Sequence, residues 1–405
     1  MKIAVIGGGA SGLMAAITAA NRGGVVTVFE KNDRVGKKIL LTGNGKCNLT
    51  NLFQETACYN SNNIEKAESI LNAFGVTSTL SFFETLGLIM KNREGYIYPI
   101  SDQASTILDL LRMELKFLRV QVITDADVRS IEQTGAGFTV KTKEDNFEFD
   151  KVILACGSKA NPQTGSDGKG YELARKLGHE IITPLPALVQ LRCKGDYFKA
   201  IAGIRCNAKC NLEIDGKVTH TEEGELQITD YGISGIPVFQ FSRFAAFALK
   251  NRQNVKVHID FLPSISQQDY AKFIEIRMLS QSYKNAEEFF IGIANKKLIQ
   301  LLLKIVSLKQ AEDISDENTS KIREVFSLLK DFVVEVEDTN SFANAQVCAG
   351  GVDLSQITDY GESTLHKGLF FAGEILDVDG RCGGYNLQWA WSSGYVAGFY
   401  GSEKE

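Results

Sequence analysis

"IAVIGGGASGLMAAI", residues 3–17, sets an apolar run against three consecutive glycines and follows it with small and apolar residues at helical spacing. The run "KIAVI" (2–6) reads as a buried parallel strand, since a strand covered on both faces needs no polar alternation. "SGLMAAITAANR" (11–22) then reads as a helix and "VVTVFE" (25–30) as the next strand, which makes a βαβ unit. At its first turn Gly7, Gly9 and Gly12 form G-x-G-x-x-G. Glycine permits the tight turn and lets backbone N–H groups at a helix N-terminus approach a pyrophosphate. Glu30 ends the second strand, where a carboxylate can accept hydrogen bonds from ribose hydroxyls. The fragment therefore predicts an α/β, Rossmann-like domain that binds a dinucleotide.

Outward from that unit, composition sets limits. The chain has 405 residues, 44% of them hydrophobic, enough for a sizeable core and more than one domain. A formal net charge of −5 gives no global footprint for nucleic acid or an anionic membrane, and neither is expected as a partner. Eight cysteines, at 47, 58, 156, 193, 206, 210, 348 and 382, are scattered without a framework pattern, which favours reduced thiols. Cys206 and Cys210 form C-x3-C with no second pair at zinc spacing, so no metal is expected. "MKIAVIGG" opens directly on the first strand and no apolar run approaches the roughly 20 residues that span a bilayer, so the expected location is the cytoplasm.

Farther along, "DVRSIEQ", "GFTVKT" and "NFEFD" alternate as an antiparallel meander would, and "KVILACG" (151–157) returns to a buried strand. "LVQLRCKG", "CNAKCNLEIDGKVTHTEEGELQIT" and "VKVHIDFLP" are short strand-like stretches suggesting a compact, barrel-like β portion. After Pro263, "NKKLIQLLLKIVSL" and "SKIREVFSLLKDF" carry helical spacing. "KGLFFAGE" (367–374) looks again like a buried strand. The boundaries expected are residues 1–188 for the first part of the dinucleotide domain, 189–264 for an inserted β-rich portion, 265–335 for an inserted helical portion, and 336–405 for the completion of the first domain.

A second glycine-to-helix turn, "GRCGGYNLQWAWSSGYVAG" (380–398), closes the chain. A flavin half needs contacts beyond the first βαβ unit, and "LFFAGE", ending in Gly373 and Glu374, fits a site near a ribityl chain. The helix starting near Asn386 can aim its positive N-terminus at the flavin N1/C2=O edge, where negative charge gathers on reduction. FAD is the cofactor expected on these grounds, and the two turns would face one long ligand.

The chain resembles the BaiN/YhiN-like flavoproteins, also labelled aminoacetone-oxidase-like. "IGGGASGLMAA", "EKNDRVGKKILLTGNGKCNLTN", "YPISDQAS", "GELQITDYGISGIPVFQFSR" and "FFAGEILDVDGRCGGYNLQWAWSSGYVAG" carry the resemblance over essentially the whole length. It implies a two-dinucleotide-type FAD domain interrupted by β-barrel-like and helical portions, with activities that range from amine oxidation to NAD(P)H-linked reduction. It also implies that the loop "RVGKKILLTGNGKCNLTN" (34–51) wraps the FAD between pyrophosphate and flavin. Asp230 stands where many members have histidine, so no shared base is carried over there.

In that loop Gly36, Gly43 and Gly45 allow backbone approach, Lys37 and Lys38 can offset phosphate charge, and Thr42, Asn44 and Asn48 can orient a flavin edge. The expected cofactor-binding set also takes in Ala10, Ser11, Lys31, Cys47, Val128, Ala155, Gly157, Gly383, Gly384, Tyr385, Asn386 and Leu387. Lys46 beside Cys47 would lower a thiol pKa, yet without a Cys-x-x-Cys pair Cys47 and Cys382 read as buried thiols. His179, His220, His258 and His366 form no motif. Tyr96 and Tyr98 read as loop anchors that could also line a pocket. Trp389 and Trp391, two apart on a helix, cannot face the same side.

The expected activity is hydride transfer between flavin N5 and a small organic substrate, with no catalytic side chain assigned and NAD(P)H, where used, binding transiently over the flavin. A non-catalytic flavin redox sensor and an FAD-dependent RNA-modifying enzyme are the other readings.

Overall fold

The computed structural model describes residues 1–135 and 137–403, which form two units: Met1–Pro186 together with the segment from Phe342 onward, and Ala187–Ser341. The first unit is built on five parallel strands in the order Leu369–Phe371, Lys151–Leu154, Lys2–Ile6, Val25–Phe29 and Gln121–Ile123. Ile6 registers with Phe29 on one side and Leu154 on the other, and the late strand Leu369–Phe371 pairs beyond Leu154. The C-terminal segment thus completes a sheet that the first residues begin. Its strand order reverses between Lys2–Ile6 and Lys151–Leu154, and a crevice outside the carboxyl ends of the strands at such a point is where open α/β sheets take ligands.

Why "KIAVI" shows no polar alternation is visible in the packing. Ala4 and Ile6 belong to one buried apolar cluster, whereas Ile3 and Val5 belong to another on the opposite face. The opening helix, Ala10–Asn21, and the closing helix, Tyr385–Gly401, lie against each other: a Cβ on Gly394 would stand 2.4 Å from Ser11 O, and one on Gly398 2.4 Å from Ala15 O. Glycine at these two positions lets the backbones approach. Trp389 and Trp391 are fully buried in different clusters, donating through their indole N–H to Gly373 O and Leu49 O at 3.0 Å each.

Smaller sheets add to this unit, among them two of three antiparallel strands each. Ser130–Thr134, Gly137–Lys141 and Asn146–Phe149 form the meander, and Tyr96–Pro99 lies between Thr50–Asn51 and Met90–Arg93.

The second unit is a closed barrel of Leu191–Cys193, Gly232–Gly235, Lys217–Thr229, Arg205–Ile214, Val255–Asp260 and Phe332–Thr339, in that order around it. Phe332, Val334 and Val336 point inward while Val333, Glu335 and Glu337 are exposed, the period-2 pattern of a strand with one wet face. Helices Ile236–Lys250, Gln267–Gln281, Lys296–Ile305 and Thr319–Lys330 share the barrel's apolar cluster through Phe241, Ile274, Leu302 and Phe326. The fold is therefore the α/β class expected, carrying a β-barrel and helices in its second unit.

Candidate dinucleotide site

The glycine turn separates into positions that packing demands and one that it leaves open. Gly7 sits at φ +110°, and a Cβ there would lie 2.4 Å from Ala155 O; a Cβ on Gly12 would lie 1.9 Å from Gly7 O. Gly9 has nothing within 4 Å of the same construction and is the N-cap of the opening helix, which no side chain caps. The helix N-terminus therefore opens onto free space, where its N–H groups and dipole favour an anion.

Glu30, at the end of the second strand, is buried and anchors that turn. Its Oε2 accepts from Gly8 N at 2.9 Å, and its Oε1 accepts from Asn32 N at 2.9 Å and Asn32 Nδ2 at 2.7 Å. A carboxylate has about four acceptor positions, so room remains for a ribose hydroxyl. Ser11 Oγ donates to Ala372 O at 3.2 Å, and Lys31 pairs with Asp167 at 2.7 Å, holding that carboxyl below its usual range. Val128 and Ala155 are buried apolar backing, and Gly157 sits at φ +71°.

In the loop that follows, Gly36 N donates to Gly8 O at 2.8 Å, so the loop is stitched to the glycine turn. Lys37 and Lys38 do not stand free: Lys37 pairs with Asp33 at 2.6 Å and Lys38 with Glu374 at 2.7 Å. Glu374 also accepts from Ser158 Oγ at 2.7 Å and Cys348 N at 3.0 Å. Gly43, Asn44, Gly45 and Cys47 all have positive φ, and Thr42 Oγ1 closes the turn onto Ile39 O at 2.6 Å. Asn44 is exposed. Asn48, 8% exposed, keeps its Oδ1 buried without a hydrogen-bond partner, an acceptor the protein itself leaves unused.

Gly383 and Gly384, at φ +125° and +96°, turn the chain into the closing helix, whose N-terminus also lacks a side-chain cap. Asn386 clamps this turn: its Oδ1 accepts from Gly380 N at 2.8 Å and its Nδ2 donates to Gly380 O at 2.8 Å. Tyr385 meets Tyr59 edge to face at 5.8 Å, and Leu387 packs at the margin of a buried cluster. Because Gly394 opposes Ser11 and Gly398 opposes Ala15, the two helices run in the same direction. At about 1.5 Å per residue the closing helix starts roughly 12 Å ahead of the opening one. Two uncapped N-termini thus point the same way, staggered by more than a phosphate's width.

Some supports were not singled out in the sequence. Ser158 follows Gly157 directly and seats Glu374, while Asn51 Nδ2 donates to Gly383 O at 3.1 Å. Gln388 joins Thr50, Thr79 and Ser392 in a buried network, with Thr50 Oγ1 donating to its Oε1 at 2.6 Å. Polar residues in apolar surroundings were the available signal.

Burial pushes the fully buried Cys47 thiol up to about 12 against an opposing hydrogen bond with Thr42, and burial likewise raises Cys382. Among the described residues no group of three His, Cys, Asp or Glu side chains could hold a metal ion, and no helix is long and apolar enough to cross a membrane.

Residues 1–400 match the family described as "HI0933-like protein Rossmann domain". The chain is 45% identical over 406 residues to a 3-dehydro-bile acid delta(4,6)-reductase of Clostridium scindens, covering 100% of this chain and 99% of that protein. It is 29% identical over 402 residues to a ribosomal RNA dihydrouridine synthase of Haemophilus influenzae, covering 97% and 96%. Among solved structures, a 3-ketosteroid-delta4-(5alpha)-dehydrogenase of Rhodococcus jostii aligns with a TM-score of 0.47 at 14% identity, covering 99% of this chain and 96% of that one.

Proposed function

The chain belongs to the HI0933-like family of Rossmann-fold, FAD-binding oxidoreductases, and we propose that it is a reductase that saturates a carbon–carbon double bond conjugated to a carbonyl in a small apolar substrate, with NAD(P)H as the source of reducing equivalents. The observation that carries this reading is the full-length 45% identity to a bile acid delta(4,6)-reductase. The 29%-identical relative named as a dihydrouridine synthase fits the same chemistry, because dihydrouridine is uridine with its ring C=C, conjugated to a carbonyl, reduced. A net charge of −5 favours the small molecule over RNA as substrate.

The residues present fit FAD. The open space at Gly9, the unused acceptor Asn48 Oδ1 and the staggered, uncapped helix ends are what a long dinucleotide would use. The backbone of Gly7 to Gly12 would hold the pyrophosphate, Glu30 a ribose, and Gly36 with residues 42–48 the middle of the cofactor. Glu374 would face the ribityl chain, and the first turn of the closing helix, Gly383 to Leu387, the flavin edge. When bound, FAD supplies the hydride exchange at N5. The chain's part is to bind, orient and shield. Glu30 keeps the glycine turn in shape, the Lys38–Glu374 pair ties the loop to the C-terminal strand, and Leu52, Phe53 and Tyr96 offer exposed apolar surface beside the Gly383 turn.

The test is anaerobic mixing of the purified holoprotein with NADPH or NADH, followed by a 3-oxo-4,6-diene steroid. Rapid bleaching of the flavin absorbance and its return on addition of the dienone, with a product two hydrogens heavier, is the expected result. Reoxidation by dioxygen alone, with the dienone untouched, would make it an oxidase; reduction of uridine in ribosomal RNA in its place would move the substrate to nucleic acid.

A further inference from the structure

Strand Tyr96–Pro99 places Tyr96 and Tyr98 on one face and buries Ile97, 4% exposed, on the other. That face meets both turns described above. Tyr98 Cε1 lies 3.6 Å from where a Cβ on Gly43 would stand, and Tyr96 Cε1 lies 2.7 Å from the corresponding point on Gly383. The placement is held from both sides: Thr50 and Asn51 pair with Ile97 and Tyr96, and Asn51 Nδ2 bonds Gly383 O at 3.1 Å.

Neither Tyr96 nor Tyr98 hydroxyl makes a hydrogen bond within the described residues. The neighbouring phenols are committed: Tyr59 donates to Gln54 Oε1 at 2.6 Å, and Tyr385 lies against Cys58. The acidic group that faces Tyr98, Asp102, pairs through Oδ2 with Lys91 and Arg93 at 2.5 and 2.9 Å and keeps its Oδ1 buried without a partner. Tyr98 is half-buried, and burial raises its pKa although the Arg93 cation, 5.5 Å from the ring centre, opposes this. Its phenol therefore stays a neutral donor across physiological pH. Tyr96 is 40% exposed, and Leu52, whose N–H donates to Gly95 O at 2.8 Å, and Phe53 add exposed apolar surface next to it in the strand pairing.

We propose that Tyr98 is the residue that donates a hydrogen bond to the carbonyl oxygen of the substrate, while the Tyr96 ring supports its apolar skeleton. This rests on the enone-reductase reading above. A neutral donor on the carbonyl draws electron density from the conjugated double bond and fixes which of its carbons faces the hydride source. A carboxylate at this place would repel the same oxygen.

The experiment is a binding titration of the oxidised holoprotein, followed by flavin absorbance, with testosterone (a 3-oxo-4-ene steroid) and with its 3-deoxy counterpart, which has the same rings and no 3-carbonyl. Tyr98→Phe is expected to weaken the ketone roughly fivefold, the factor for one ordinary hydrogen bond of about 1 kcal/mol, and to leave the deoxy compound unchanged. Tyr96→Ala is expected to weaken both alike. Flavin content of each variant, equal to wild type, shows that the turns have not been disturbed. If Tyr98→Phe weakens both ligands equally or neither, the assignment is overturned while the substrate class stands. If wild-type protein binds neither steroid, the enone reading fails and Tyr98's role falls with it.

Discussion

Lys38 Nζ lies 2.7 Å from Glu374 Oε2, a contact between residues 336 positions apart in sequence. It joins the loop after the first βαβ unit to the end of the last sheet strand, and Ser158 and Cys348 N hold the other carboxylate oxygen. With side chains 28% and 18% exposed, the pair is shielded enough for its loss to register.

Lys38→Met should destabilise the protein by about 1 kcal/mol and loosen the flavin, and Glu374→Gln should do likewise. Thermal melts of the two single variants and the double variant, with FAD affinity read by fluorescence, check this. Full additivity in the double variant would show that the two side chains do not act as a pair.

Gly9 and Gly7 should behave differently although both belong to the same glycine fingerprint. Gly9→Val places its side chain in open space at φ −83°, so the fold should survive while FAD retention is lost. Gly7→Val puts a side chain against Ala155 O at φ +110° and should yield little folded protein. Circular dichroism and flavin content measured together separate the two effects; a Gly9→Val protein with full flavin would contradict the pyrophosphate assignment.

The crossing of the two helices predicts a purely structural cost. Gly394→Ala or Gly398→Ala should destabilise by roughly 1–3 kcal/mol, because the added methyl meets backbone oxygen at 2.4 Å on the facing helix. Unchanged denaturant midpoints would mean that the helices part at little cost.

His179, 3% exposed and 2.9 Å from Ser363 Oγ, has its pKa lowered by burial. The unfolded chain then binds a proton more readily than the folded one, so stability is complete above the unfolded value near 6.5 and is lost progressively as pH falls from there toward the folded value. Wild-type protein should melt at lower temperature at pH 5 than at pH 7, and His179→Gln should show a shallower dependence over that interval. An equal slope in both would remove His179 from the acid response.

The α/β class was legible because "KIAVI" and "KVILACG" are apolar on both faces, and a strand with no polar side must be covered on both by helices or sheet. The glycine fingerprint was legible for the same local reason, and so was the divergence of Trp389 and Trp391, which follows from helical geometry. The partners of Lys37 and Lys38 were not, since two lysines beside a glycine look alike whether they face a phosphate or a carboxylate. Nor was the work of Asn386, whose amide closes its own turn.

Hydrophobic period and backbone permissiveness are properties of neighbouring residues, so the chain itself determined its parallel sheet, its two glycine turns and its family. Which glycine is open and which is jammed, which helix end stands ahead of the other, and which tyrosine keeps an unused hydroxyl depend on atoms brought together from hundreds of positions apart. Only the packed tertiary structure decides them, because a contact's distance and desolvation exist only once both surfaces are in place.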